Sequence, residues 1–189
     1  MKKEKSSNEK NEKKSLFDEI MGWIMALVFA IILALFIKTF IFSTTLVDGS
    51  SMYPTLEHND RLITLKLSLL FDDPDRGDIV IFESPLNPSD DYIKRVIAIE
   101  GDEVRIDDGS VYVNGKKLEE TYIENGIKTQ LENNLGYWHI NEGMVFVLGD
   151  NRQFRKSTDS RVFGEISEDI IKGHAVFRYY PFNKIGVVK

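Results

Sequence analysis

The chain has no cysteine in its 189 residues, only three histidines and only five prolines. Without cysteine there can be no disulfide staples, no thiolate metal ligands and no cysteine nucleophile. The compartment stays open, because an exported domain can fold without disulfides. His58, His139 and His174 show neither ligand spacing nor carboxylate-rich company, so no metal site is expected. Basic residues are also short: 24 Lys and Arg face 30 Asp and Glu, a formal net charge of −6. They form no broad stripe, which excludes a nucleic-acid surface. What remains is 42% apolar and 29% charged, a globular composition long enough for a membrane element plus one domain.

Long apolar runs are absent too, with one exception. From Ile20 to Ile37 the stretch IMGWIMALVFAIILALFI carries no charge. As a helix it spans about 27 Å, close to the hydrocarbon thickness of a bilayer. Lys38 interrupts it at the edge, where a lysine can snorkel to the headgroups, and Thr39–Phe42 extend it. A buried core helix usually keeps a polar face, and this one has none. A cleavable signal peptide has a shorter apolar region and a small-x-small site, and FSTTLVD offers none. An uncleaved anchor over 20–42 is therefore expected. Lys2, Lys3, Lys5, Lys10, Lys13 and Lys14 precede it and only Lys38 closely follows. The positive-inside rule then leaves 1–19 as a cytoplasmic, disordered tail and puts 43–189 outside the cell membrane.

Beyond Phe42 short β-like runs alternate with turn signals. RLITLKL (61–67), DIVIF (78–82), YIKRVIAI (92–99), EVRI (103–106), VYV (111–113), YWHI (137–140), MVFVL (144–148) and HAVFRYY (174–180) favour strands. Asn114-Gly115 suits a type I′ hairpin turn. A mainly β, antiparallel domain follows, with a more polar and less regular insertion at about 101–141. LKLSLLF (65–71) is apolar on consecutive positions, as in a buried strand or a surface that dips into the bilayer.

GSSMYPTL (49–56) puts Ser50 and Ser51 ahead of a Pro-Thr turn. A serine nucleophile needs a base within hydrogen-bond reach. Neither His58 in EHND, nor His139, nor His174 is commended by its surroundings. A lysine can serve if burial keeps it neutral. Lys94 in DYIKRVIAI stands among Tyr92, Ile93, Val96, Ile97 and Ile99. In a strand it shares one face with Tyr92 and Val96. From this segment alone, a lysine reaching out to solvent is equally consistent.

Four stretches together, GSSMYPTL, RGDIVIF (76–82), DYIKRVIAIEGD (91–102) and GDNRQFRKSTDSR (149–161), resemble the bacterial type I (leader) signal peptidases, especially the single-anchor Gram-positive kind. The resemblance covers roughly residues 16 to 183. It implies a β-rich catalytic core with a smaller inserted β region, Ser51 as nucleophile and Lys94 as general base of a Ser/Lys dyad, with no cofactor. It also implies that Ser157 orients the lysine, that Asp159 and Arg161 form a supporting ion pair, and that Asp150 and Arg152 hold the same loop. The pattern is broken in two places. Four residues, Gln153 to Lys156, separate GDNR from the serine where relatives usually have two, so the loop is expected to bulge. Gly49 stands where some relatives place an oxyanion-binding serine, which leaves the Ser51 backbone N–H, with Gly49's own amide or water, to hold the oxyanion.

The implied substrates are signal peptides of exported preproteins, bound as an added strand with small alternate side chains in pockets. By the same analogy Val47, Tyr92, Ile93 and Val147 line those pockets. The lipid bilayer is the other implied partner. The alternative is a relative without catalysis, a membrane-tethered binding or pilus-assembly module; such a protein should lack the serine or the lysine, and both are present.

Overall fold

The computed structural model describes residues 2–66, 73–131 and 135–188. Two compact units divide at Ile41/Phe42. The first is a helix, α1 (Lys2–Phe36), followed by a π-helical turn over Ile37–Ile41. Its segment Leu16–Ile41 is long and apolar enough to cross a membrane, and none of it is buried within the protein. The helix also takes in the charged residues ahead of Leu16, where the composition suggested a disordered tail. Lys and Glu are good helix formers, and extending a helix already nucleated by the apolar stretch costs little.

The second unit is built from antiparallel strands. They are β1 (Phe42–Leu46), β2 (Arg61–Leu65), β3 (Ile79–Glu83), β4 (Asp91–Ala98), β5 (Glu103–Asp107), β6 (Ser110–Val113), β7 (Lys116–Lys117), β8 (Tyr137–His139), β9 (Met144–Leu148), β10 (Ile166–Ser167), β11 (Ile171–Tyr180) and β12 (Gly186–Val187). One sheet has the order β1-β2-β11-β3-β4-β9-β10, with β12 pairing β11; the other, drawn from 103–139, has the order β7-β6-β5-β8. The Asn114-Gly115 pair turns β6 into β7, with Asn114 at φ +52 and Gly115 at φ +75, as an I′-type turn demands. The stretch 65–71 is described only at Leu65, which ends β2, and Lys66; its apolar remainder lies outside the described residues.

Three apolar clusters organise the interior. Val104, Ile106, Val111 and Val113 of the smaller sheet pack on Ile97, Phe146 and Leu148 of the larger one. Met52, Leu56, Leu62, Ile79, Ile81 and Ile93 form a second cluster beneath β1–β4. Val80, Phe82, Val96, Val145 and Val147 form the third. The β4 strand contributes to all three, which is why its middle is buried on both sides. Two of the motif stretches also meet. Arg76 of RGD donates to both carboxylate oxygens of Asp102 of EGD, pinning the start of β3 to the turn after β4.

Candidate active site

Burial of β4 decides the state of its central lysine. Lys94 lies opposite Val80 of β3 and is only 4% exposed. Its Nζ reaches two acceptors, the Ile93 carbonyl and Ser51 Oγ, each at 2.9 Å, and lies 5.1 Å from the Tyr92 ring centre. Desolvation pushes the ammonium down to about 8. Asp159 and Asp150 pull it back up, and Arg161 adds to the depression.

Ser51 opens a tight turn that is held from below and from the side. Met52 and Leu56 are fully buried in the second cluster, and the Leu56 N–H donates to the Met52 carbonyl at 2.8 Å. Asn151 clamps the turn from the side: its backbone N–H donates to the Ser51 carbonyl at 3.0 Å and its Nδ2 to the Ser50 carbonyl at 2.9 Å. Gly49 has φ +97, a conformation that a side chain would strain. The Ser51 backbone N–H has no partner among the described residues. The Gly49 amide does: it donates to His58 Nδ1 at 3.2 Å. The expectation that Gly49 helps hold an oxyanion is corrected by that bond, because its one donor is already used.

The loop 149–161 supplies the surroundings. A Cβ added at Gly149 would meet Ser157 Oγ at 2.2 Å and the Ser51 carbonyl oxygen at 2.4 Å, so only glycine lets these segments touch. Asp150 is fully enclosed and accepts from Arg95 Nε at 2.9 Å, Arg95 NH2 at 2.7 Å and Thr55 Oγ1. Arg152 turns the other way, donating to the Gly149 carbonyl at 2.8 Å, to Thr129 Oγ1 at 2.9 Å and to Glu120. Asp150 and Arg152 thus hold the loop through separate partners. Tyr122 stacks between Arg95 and Arg152, with their guanidinium carbons 4.0 and 6.0 Å from its ring centre.

Asp159 and Arg161 form the expected bidentate pair, at 2.8 and 2.7 Å, with both side chains buried. Burial works to raise the Asp159 pKa, but the bonds from Arg161 and the Gly149 N–H hold it below the usual carboxylate value. Ser157 is buried at the same place, yet Lys94 Nζ does not use it as an acceptor. Its Oγ makes no well-formed hydrogen bond, although it lies close enough to Asp159 to help keep that carboxylate ionised. The extended stretch before it does bulge: the Lys156 N–H closes on the Gln153 carbonyl at 3.1 Å, with Arg155 at φ +56.

A cleft of about 510 Å³ opens over Ser51 and Lys94, walled by Thr44–Ser51, Ile81, Asp91–Ile93, Lys156 and Thr158. Val47, Tyr92 and Ile93 line it. Val147 does not. It pairs with Val96 across β4 and β9 and is completely enclosed in the third cluster, among Val80, Phe82 and Ile166. Sequence reasoning missed three contributors. Strand β1 was left unassigned, although the β-branched pair Thr44-Thr45 was a signal for it. Arg95 was passed over beside Lys94, and the Asn151 clamp leaves no trace in the sequence pattern. Among the histidines, His58 reaches the turn but meets Gly49 and Asp48, with its Nδ1 3.3 Å from Asp48 Oδ1.

A β-rich domain with a serine hydroxyl against a buried lysine amine, following a helix long enough to cross a membrane, defines the class. Comparison with known proteins agrees. Residues 20–180 match the family described as signal peptidase, peptidase S26, and the chain belongs to that family. It is 39% identical over 192 residues to signal peptidase I of Bacillus licheniformis, covering 98% of each chain. It is 37% identical over 196 residues to signal peptidase I T of Bacillus subtilis, covering all of both. A crystal structure of a signal peptidase I from Enterococcus faecalis aligns with 55% of this chain and 97% of that one, at 33% identity and a TM-score of 0.46.

Proposed function

We propose that this protein is a membrane-anchored serine endopeptidase that removes signal peptides from exported preproteins. The observation that carries this reading is the 2.9 Å approach of Lys94 Nζ to Ser51 Oγ, with the amine buried and its pKa lowered to about 8. Neutral Lys94 accepts the Ser51 hydroxyl proton as the oxygen attacks the scissile carbonyl. The Ser51 backbone N–H stabilises the oxyanion, a contribution of about 3–4 kcal/mol for one such donor. The resulting lysinium gives its proton to the departing amine, leaving an acyl-enzyme. Lys94, neutral again, takes a proton from water as the water oxygen attacks the acyl carbon, then returns that proton to Ser51 Oγ as the ester bond breaks, which releases the signal peptide and restores both residues.

The substrate enters as an extended strand. Strand β1 stands at the end of its sheet, with no strand on its outer edge among the described residues, and an added peptide strand can use its backbone groups while alternate side chains face Val47, Tyr92 and Ile93. The segment Leu16–Ile41 anchors the enzyme in the membrane with the catalytic unit on the extracytoplasmic side, as the lysines ahead of it direct. Tethering enzyme and preprotein to one surface raises their effective concentration. Full-length protein in neutral detergent, given a preprotein with an Ala-x-Ala site, tests the proposal. The wild type releases the mature protein, and Ser51→Ala, still folded by circular dichroism, does not. Cleavage by Ser51→Ala at the wild-type rate overturns it.

A further inference from the structure

The four residues Gln153–Lys156 have a consequence at the cleft. Because the segment folds back through the Lys156-to-Gln153 turn and the left-handed Arg155, the Lys156 side chain becomes part of the cleft wall together with Thr158. Ser157, between them, lies against Gly149 and the Ser51 carbonyl, which brings this stretch of the chain alongside Ser51. Of the other charges of the lining, Asp91 accepts from Lys172 Nζ at 2.7 Å and Lys94 is turned toward Ser51, while the Asp48 carboxylate is exposed. The Lys156 ammonium is exposed and has neither a carboxylate nor a hydrogen-bond acceptor among the described residues.

A free cation at the reacting end of a groove otherwise walled by Asp48 and Asp91 changes what the groove accepts. Without it, an acidic substrate side chain would face the exposed Asp48 carboxylate; with it, that side chain finds an ion-pair partner. We propose that Lys156 determines specificity by binding an Asp or Glu side chain of the substrate next to the scissile bond. This rests on the peptidase reading above. A lysine holding the loop together would have a partner within the protein, and this ammonium has none among the described residues.

The experiment compares kcat/KM of the full-length protein in neutral detergent for peptides that carry Glu, Gln or Lys at each position flanking the scissile bond in turn. At one of these positions Glu is favoured over Gln by about two- to fivefold, the range of a partly exposed ion pair. The preference shrinks as salt is raised, because exposed charges are screened. Lys156→Gln brings the Glu/Gln ratio to about one, Lys156→Arg keeps it, and Lys156→Glu shifts preference to the Lys peptide. Equal rates for Glu and Gln at every position in the wild type overturn the inference, as does a ratio that Lys156→Glu leaves unchanged. Turnover of the Gln peptide by the wild type tests the peptidase reading separately. If no peptide is cut, that reading fails; if all are cut without regard to charge, only the role of Lys156 fails.

Discussion

Lys94 and Arg95 are neighbours on one strand, both nearly inaccessible to water, and they are treated in opposite ways. The guanidinium of Arg95 is locked to Asp150 by two hydrogen bonds and capped by the Tyr122 ring. The amine of Lys94 has, among the described residues, only a carbonyl and a hydroxyl as hydrogen-bond partners. A buried charge is tolerable when a carboxylate neutralises it, and otherwise the group sheds its proton. Arg95 therefore holds architecture through its bonds to Asp150, while Lys94 is pushed toward the neutral form that a general base requires. The two acids of the neighbourhood keep that division: Asp150 and Asp159 are each engaged by an arginine, so neither sits on Lys94 as a counter-ion.

The sharpest way to break this comparison is Lys94→Met. Turnover falls by about 10³-fold or more, as expected when one member of a catalytic unit is lost. Stability moves the other way. The folded pKa of about 8 lies below the ordinary lysine value of 10.5, so below pH 8 both folded and unfolded chains carry the proton and the folded state bears the full burial cost. That cost is relieved as pH rises from about 8 toward 10.5, where the unfolded chain holds more protons. At neutral pH the methionine variant should gain on the order of 1–3 kcal/mol, measured by denaturant unfolding. In the wild type, kcat/KM rises with pH through about 8 as Lys94 loses its proton. A profile with the same inflection in a variant lacking Lys94 would sink the assignment.

Arg95→Met is the mirror experiment. It leaves the Asp150 carboxylate enclosed without its counter-ion and costs about 3–5 kcal/mol in stability. Adding Asp150→Leu restores much of that loss, since the cost comes from the stranded charge; no recovery in the double variant contradicts the view of this pair as architecture. Gly149→Ala is smaller. Its Cβ would strike Ser157 and the Ser51 carbonyl, so a stability loss of about 1–3 kcal/mol accompanies displacement of the serine. Activity should fall more than the folded fraction does, and an active, unshifted Gly149→Ala enzyme would show that the close approach is dispensable.

Much of this was legible in the chain. The apolar run, the alternating strands and the Asn114-Gly115 hairpin follow from local patterning, and eight of the strand assignments overlap strands of the structure. The Asp159–Arg161 pair is two residues apart, and its charges announced it. The failures have long sequence separations in common. Arg95 meets Asp150, Asn151 meets Ser50 and Ser51, and Arg152 meets Glu120 and Thr129, contacts that no periodicity records. Val147 stands close to the motifs in sequence, but packing of side chains in the third cluster buries it. Gly49 was given a free amide, and only folding brings His58 to it.

By itself, the sequence determined which groups exist and what each local segment prefers: one long apolar helix, strands of alternating pattern, a serine in a turn and a lysine among apolar residues. The tertiary structure alone decided that the lysine is dry, that its neighbour's charge is neutralised and its own is not, and that the hydroxyl lies within hydrogen-bond reach of it. The reason is that desolvation and ion pairing depend on distances across the fold. Those distances are set by packing, and residue order along a chain leaves them open.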